Sequence, residues 1–279
     1  VYKRQNEENL KEIKEKSKKL ALGLNVKGLL NIQFAIKDEE LFILEANPRA
    51  SRTMPFVAKV TGNQIIKAGT LLMLGYSIDE VRNKTKYLSS SSNKVAIKKA
   101  IFPWSRFPAE DTMLGPEMKA TGEVLGVGKE FGTALNKAYA AAGVEINNKE
   151  KGIFVTLSDS EKPNFIKTVN KYLELGFTLY STEGTGKFLK TNGIDSVIVG
   201  KADDLGQTSL TIIEDKLVSL VINTPTYANE LSDGWKIRRL SHETGVAVVS
   251  SVREADAFIE AFLNQNLVLD DLEVIQDVS

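Results

Sequence analysis

The feature that most constrains the fold is the regular alternation of apolar runs and helical segments after Gly152. The runs GIFVTL, FTLYST, SVIVG, LVSLVIN and VAVVSS are separated by segments with helical periodicity, and Gly176 and Gly193 follow the first two of them. Strands that alternate with helices run parallel, because each helix carries the chain back across one face of the sheet. The second half therefore predicts a doubly wound parallel sheet with helices on both faces.

The first half has a different pattern. Residues 6–22 carry apolar side chains at three- and four-residue spacing, which predicts an amphipathic helix. Two apolar runs flank a charged cluster and predict a β-hairpin with Asp38–Glu40 as a three-residue loop, so that Lys37 pairs with Leu41.

Further helices are predicted over 62–74, 77–82 and 131–142, and residues 104–126 are expected to be mainly loop. The polar stretch 143–151 has the character of a linker. We expect two domains, 1–146 and 147–279.

Composition excludes several classes of function. The 279 residues contain 36 lysines and arginines against 36 aspartates and glutamates, so no net charge draws the whole chain to nucleic acid or to an anionic membrane. No apolar run approaches the ~20 residues that span a bilayer. Cysteine is absent, which excludes disulfides and thiolate metal sites. His242 is the single histidine, and the sequence gives no argument for a Ser-His-Asp set around it. The lack of cysteine fits a cytoplasmic location.

One group of polar residues lies on the predicted hairpin. Glu45 and Asn47 are two apart on one strand, so they share a face, and Gln33 is expected opposite Glu45. Carboxylate and amide oxygens suit a hard cation such as Mg²⁺. Arg49 and Arg52 follow, where they would meet phosphate oxygens. The alternative is a solvated edge strand, but Glu45 sits in the apolar run ILEAN, where burial without a partner would be costly.

A second group follows the parallel strands. Ligands of such sheets sit at the carboxyl ends of the strands, where helix N-termini attract anions. The residues at these ends are Ser158, Lys162, Thr182, Gly184, Thr185, Lys201, Asn223 and Thr224. Together they predict a phosphate cradle, although Thr-Glu-Gly-Thr is also a common helix cap.

The string QFAIKDEELFILEANPRASRTMPFVAKVTG, followed by LGPEMKATGEVLGVG, resembles the C-terminal part of an ATP-grasp synthetase unit of carbamoyl-phosphate synthase large chains. The resemblance implies an antiparallel sheet with helices. It also implies that Gln33, Glu45 and Asn47 bind the Mg²⁺ or Mn²⁺ that bridges the ATP phosphates, and that Arg49 and Arg52 are catalytic. The implied activity is ligase chemistry: ATP-dependent phosphorylation of carbamate to carbamoyl phosphate, for pyrimidine or arginine biosynthesis. K⁺ is a further cofactor of that family.

The string GIFVTLSDSEKPNFIKTVNKYLELGFTLYSTEGTGKFLKTNGI resembles the regulatory domain that ends these large chains, which has the methylglyoxal-synthase-like fold. The resemblance implies an allosteric nucleotide monophosphate site. Its residues would be Lys162, Thr182, Thr185, Lys201, Asn223 and Thr224. Pro225 departs from the pattern, because some relatives have a second threonine there and only Thr226 could replace it. The choice between a uridine inhibitor and a purine activator stays open.

Another departure concerns ornithine, which activates some relatives. Their site uses an acidic residue where this chain has Lys99, and a tyrosine and a threonine where it has Val248 and Ser250. A lysine has the wrong charge for a cationic amino acid, so we expect no ornithine regulation. His242 is expected at a surface or helix end, and Arg238 and Arg239 are expected as a charge pair at a helix end.

The resemblance implies a glutaminase small chain as partner, and leaves open a homo-oligomer of the whole enzyme. No membrane or nucleic-acid partner is expected. The chain starts at Val1, in the middle of the matched synthetase unit, so we expect a piece of a longer protein that is catalytically silent alone. Two alternatives are a standalone nucleotide-sensing module and a methylglyoxal synthase. The second is disfavoured, because a Gly-Gly-Asp segment is missing near Ala202–Leu205.

Overall fold

The computed structural model describes residues 7–85, 94–102, 104, 107, 112, 122–144, 146, 152–224 and 232–264. Their contacts divide them into two compact units, one ending at 85 and the other beginning at 94. Each unit is described by itself. The domain boundary predicted at 146/147 lies within the second unit and stays a prediction.

The first unit is a two-stranded antiparallel hairpin with helices. Its elements are α1 (Glu7–Gly23), β1 (Asn31–Lys37), β2 (Glu40–Asn47), α2 (Thr53–Thr61), α3 (Ile65–Met73) and α4 (Ile78–Lys84). The predicted first helix and the hairpin are confirmed. Helix α2 was not predicted; its Pro55 lies in the first helical turn, where proline is tolerated because the N–H it lacks would have no helical partner. A capping box between Ser77 and Glu80 starts α4.

The predicted three-residue hairpin loop is wrong. Lys37 pairs with Glu40, and the turn consists of Asp38 and Glu39, which have φ of 50° and 66°. Two successive left-handed residues are typical of the tight turn whose twist matches that of the strands. A β-bulge at Leu44, between the Gln33 and Phe34 pairings, then moves the register by one residue. Gln33 therefore does face Glu45, as predicted, but for a different reason.

The second unit begins with an antiparallel pair, β3 (Val95–Ile101) and β4 (Gly122–Gly128), followed by α5 (Phe131–Ala141). Strand β4 lies in a segment that was expected to be loop. Helix α5 packs closely at two glycines: a Cβ on Gly126 would meet Ala134 O at 2.1 Å, and one on Gly132 would meet Glu260 O at 2.2 Å. These glycines allow the backbones to approach more closely than any side chain would permit.

The parallel sheet follows, and its alternation of strands and helices is as predicted. Its elements are β5 (Gly152–Thr156), α6 (Lys162–Glu174), β6 (Thr178–Ser181), α7 (Glu183–Thr191), β7 (Val197–Ile198), α8 (Thr211–Glu214), β8 (Val218–Asn223), α9 (Asp233–Thr244), β9 (Ala247–Val249) and α10 (Val252–Leu263). The strand order is β7-β6-β5-β8-β9, with every pair parallel. The chain first moves outward from β5 and then returns to its other side, so the order reverses between β5 and β8.

Two clusters of buried apolar side chains lie on the two faces of this sheet, because successive side chains of β5 point to opposite faces. Ile153 and Val155 belong to one cluster, and Phe154 belongs to the other. Val144 and Ile146, which were expected in a linker, pack against the first cluster. Asn136 of α5 also donates to the carbonyls of Ala261 and Asn264 at 2.7 and 2.8 Å, which ties α5 to the end of α10.

Candidate functional sites

The first candidate site is the open end of the hairpin. Gln33 lies opposite Glu45, and Asn31 lies opposite Asn47. The Asn47 amide donates to Glu45 Oε1 at 3.0 Å, so the carboxylate and the amide lie side by side. The structure thus brings together the three oxygen-bearing residues predicted from sequence.

The burial argument for Glu45 is wrong, because Glu45 is exposed, as are Phe42 and Leu44 beside it. No desolvation cost forces a partner on this carboxylate. The two arginines are exposed as well: Arg49 donates to the carbonyl of Ala50 at 3.1 Å, and Arg52 precedes α2. The site is an accessible surface with one carboxylate, amide oxygens and two guanidinium groups.

This donor set fits a divalent metal only when other ligands complete the shell. Mg²⁺ is commonly held by one or two carboxylates together with substrate phosphates and water. Glu45 supplies one charge, and the carbonyl oxygens of Gln33 and Asn47 supply neutral donors. Among the described residues, no group of three or more histidine, aspartate or glutamate side chains could hold a metal ion. A metal at this hairpin would take its remaining ligands from water or from substrate phosphates.

The second candidate site lies at the carboxyl edge of the parallel sheet. The Ser158 N–H, after β5, donates to Thr224 Oγ1, after β8, at 2.8 Å. This bond crosses the point at which the strand order reverses, where open α/β sheets bind their ligands. On the other side of β5, the Leu157 N–H donates to Thr185 Oγ1 at 3.1 Å, and Thr182 lies 3.3 Å from Thr185 between hydroxyl oxygens.

Two lysines flank this edge. Lys162 is the first residue of α6, and its amine lies 2.5 Å from Asp159 Oδ1, a hydrogen bond that lowers the pKa of Asp159. Lys201 follows β7; its side chain is exposed, and its N–H donates to Asp204 Oδ2 at 2.7 Å. Thr182 precedes α7 as the N-cap residue without a side-chain capping bond. Hydroxyls, helix N-termini and two amines thus share one edge, while Pro225 and Thr226 lie outside the described residues.

The sequence did not predict the role of Arg238. Arg238 is 3% exposed in the middle of α9, and its Nη1 donates to Asn223 Oδ1 at 2.6 Å. Arg239 is also buried; it pairs with Glu243 and donates to the carbonyls of Phe107 and Trp104. The expectation of a charge pair at a helix end was therefore wrong. The one sequence signal that could have suggested the role of Arg238 is a basic residue within a helix that packs behind the end of a strand.

His242 lies in the last turn of α9, as expected for a helix-end histidine, but its side chain is only partly exposed. Its ring lies 5.8 Å from the ring of Trp104, and the side chain is largely enclosed. Burial and the positive charges of Lys99 and Arg239 lower the pKa of His242 from 6.5 to about 4. The imidazole is therefore neutral at physiological pH.

His242 belongs to a cavity of about 170 Å³. Lys99, Val248 and Ser250, the three positions at which the sequence departs from the ornithine pattern, line the same cavity. Its other polar lining residues are Thr112, Arg238 and Glu254. In the described ranges, no helix is both long enough and apolar enough to cross a bilayer.

Comparisons with known proteins give one family match for each of the two candidate sites. Residues 3–81 match the family model "Carbamoyl-phosphate synthase L chain, ATP binding domain", and residues 164–250 match "MGS-like domain". The first match contains the hairpin site, and the second contains most of the sheet edge.

Relatives cover nearly the whole chain. The carbamoyl phosphate synthase large chain, C-terminal section, of Aquifex aeolicus is 38% identical over 270 residues, 92% of this chain and 50% of the relative. The corresponding section from Methanocaldococcus jannaschii is 39% identical over 251 residues, 87% of this chain and 40% of the relative. The Archaeoglobus fulgidus large chain is 38% identical over 278 residues, 98% of this chain and 26% of the relative. The chain thus spans half or less of the length of these relatives. By sequence, it belongs to the family of carbamoyl phosphate synthase large chains and corresponds to their C-terminal section.

Proposed function

We propose that the chain takes part in the ATP-dependent phosphorylation of carbamate to carbamoyl phosphate. The observation that carries this proposal is the hairpin register, which sets Gln33 opposite Glu45 with Asn47 bonded to the same carboxylate. Phosphoryl transfer requires positioning and charge neutralisation more than covalent chemistry. Bound Mg²⁺ or Mn²⁺ would supply the neutralisation between the ATP phosphates. Glu45 and the two amide oxygens would hold the metal, and Arg49 and Arg52 would bind phosphoryl oxygens.

We further propose that the sheet edge binds a nucleotide monophosphate effector. Thr182, Thr185 and Thr224 offer hydroxyls there, α6 and α7 direct their N-termini to it, and Lys162 and Lys201 supply charge. A phosphate monoester would be held by charge-assisted hydrogen bonds from the lysines. Asn223 would orient the nucleoside part, because Arg238 fixes its side-chain oxygen by a hydrogen bond.

Loss of the hairpin carboxylate should weaken metal binding. Glu45→Gln removes the one negative ligand, so Mn²⁺ binding in the presence of ATP is expected to weaken by about tenfold or more. Water proton relaxation enhancement by Mn²⁺–ATP measures this, because it distinguishes the protein-bound complex from Mn²⁺–ATP in solution. Glu40→Gln, an exposed carboxylate on the same hairpin, is the matched control and should leave the affinity unchanged. Equal Mn²⁺–ATP binding by Glu45→Gln and the parent chain would contradict the metal assignment.

Substitution of a lysine and of a competing aspartate at the sheet edge should change nucleotide affinity in opposite directions. Lys201→Ala is expected to weaken binding of uridine or inosine monophosphate about tenfold, because it removes a charge-assisted hydrogen bond. Asp159→Asn should strengthen binding severalfold, since Asp159 competes with the phosphate for Lys162. Isothermal titration calorimetry with both nucleotides provides the measurement, and Lys190→Ala at the far end of α7 is the control. Unchanged affinity in Lys201→Ala would overturn this site.

The alternative function is a nucleotide-sensing module without catalysis. It predicts nucleotide monophosphate binding at the sheet edge and no Mn²⁺–ATP binding at the hairpin. The two experiments above therefore separate the alternatives. The cluster of Gln33, Glu45 and Asn47 favours the ligase, because its oxygen atoms are suitable metal ligands and arginines that can bind phosphate follow it in the chain.

Partnership with a glutaminase small chain, use of K⁺ and a cytoplasmic location stay predictions from sequence. So does service in pyrimidine or arginine biosynthesis. Copurification of the small chain with the large chain is the direct test of the first.

A further inference from the structure

The cavity beside β3 has basic lining residues, one of which, Arg238, also bonds Asn223 at the sheet edge. Lys99 of β3, Arg238 of α9 and Glu254 of α10 line it, so the described part of the lining has two basic side chains and one carboxylate. His242 is neutral and adds no charge at physiological pH. Among the residues that the structure describes, basic side chains therefore outnumber acidic ones in the lining.

The single carboxylate already has partners. Tyr139 donates from its hydroxyl to Glu254 Oε1 at 3.2 Å, and the Ser250 N–H lies 3.4 Å from Glu254 Oε2. The amine of Lys99 lies 4.0 Å from the centroid of the Tyr139 ring. Burial lowers the pKa of Lys99. The negative charge of Glu254 opposes this shift only in part, so the protein does not fully offset the cost of burying the ammonium group.

A second, independent observation points to a ligand. Thr112 is 7% exposed and lines the cavity, yet its hydroxyl has no hydrogen-bond partner among the described residues. Burial of a hydroxyl without a hydrogen-bond partner is unfavourable. A ligand with oxygen acceptors would satisfy both Thr112 and Lys99.

The volume of the cavity is suited to a small ligand. Its volume of about 170 Å³ is similar to the ~150 Å³ that holds a benzene-sized molecule. Phe102, Trp104 and Val248 provide apolar wall, and two other lining residues, Ala100 and Ser250, are exposed to solvent. Apolar walls with one cationic end suit an organic acid better than a bare inorganic ion.

We propose that this cavity is a binding site for a small carboxylate ligand, with Lys99 as its charge partner and Thr112 as a hydrogen-bond donor. This proposal is independent of nucleotide binding at the sheet edge. We expect no binding of a cationic amino acid, because its side chain would bring a further positive charge to Lys99 and Arg238.

Succinate is a suitable probe, and succinamide is its uncharged analogue. Trp104 lines the cavity and the chain has only two tryptophans, so in a Trp235→Phe background the fluorescence reports on Trp104 alone. Succinate in the millimolar range should cause a saturable change in emission, whereas succinamide and ornithine should cause none. Identical responses to succinate and succinamide would refute the proposal, and this comparison needs no variant at Lys99.

Variants then locate the site. Lys99→Met should weaken succinate binding about tenfold or more, because a charge-assisted hydrogen bond is lost, and Lys99→Arg should retain binding. Lys98→Met is the matched control: Lys98 is next to Lys99 on β3, but it pairs with Glu123 on the opposite face, so affinity should not change. Lys201→Ala should also leave it unchanged, since that residue belongs to the sheet edge. Full affinity in a folded Lys99→Met protein would overturn the assignment.

Discussion

Acidification from about pH 7 to about pH 5 should lower the free energy of unfolding of the second unit by about 2 kcal/mol, through His242 alone. The pKa of His242 is about 4 in the folded protein and 6.5 as its ordinary value. Below 6.5 the unfolded chain binds a proton that the folded chain does not, so stability falls as the pH falls. The loss approaches about 3 kcal/mol near the folded pKa.

The physical cause is the surroundings of the imidazole. Burial opposes its charged form, and the charges of Lys99 and Arg239 add repulsion, while Arg238 and Glu254 line the same cavity. Urea unfolding followed by circular dichroism at several pH values would measure the effect. Because His242 is the single histidine, His242→Gln should remove most of the slope above about pH 5, where ordinary carboxyl groups contribute little. A slope that persists in His242→Gln would show that other groups cause it.

Replacement of Arg238 by methionine should destabilise the second unit by about 3 kcal/mol and weaken nucleotide binding about tenfold. Arg238 is buried, and its bond of 2.6 Å to Asn223 holds the end of β8. Without it, the buried Asn223 side chain loses a charged partner and its orientation at the sheet edge. Urea unfolding and nucleotide calorimetry, at a temperature at which the variant is folded, give the two readouts.

Lys236→Met provides a matched control on the same helix. Lys236 pairs with Asp203, which is 79% exposed, and exposed ion pairs contribute at most about 1 kcal/mol. Its replacement should leave nucleotide affinity unchanged. If Arg238→Met were as stable as Lys236→Met and bound nucleotide equally well, Arg238 would not be the residue that positions Asn223.

Local patterns predicted much of the fold, because they depend on residues near in sequence. The helix at 7–23 follows from apolar spacing, and the parallel sheet follows from alternating strands and helices. The short strand β4 was missed because its GEVLGVG segment is rich in glycine, and glycine weakens any strand pattern. Those glycines are instead required where α5 approaches β4.

In the candidate sites too, some features follow from the sequence and others depend on the tertiary structure. Sequence determined that Glu45 and Asn47 share a face and that polar residues end the parallel strands, since a period of two and the direction of a strand are properties of the local chain. Only the tertiary structure decided that a two-residue turn and a bulge at Leu44 bring Gln33 opposite Glu45. It also decided that Arg238 supports Asn223, and that Lys99, Thr112 and His242 line one cavity. These residues are far apart in sequence, and their proximity depends on how helices pack against the sheet, which no local pattern encodes.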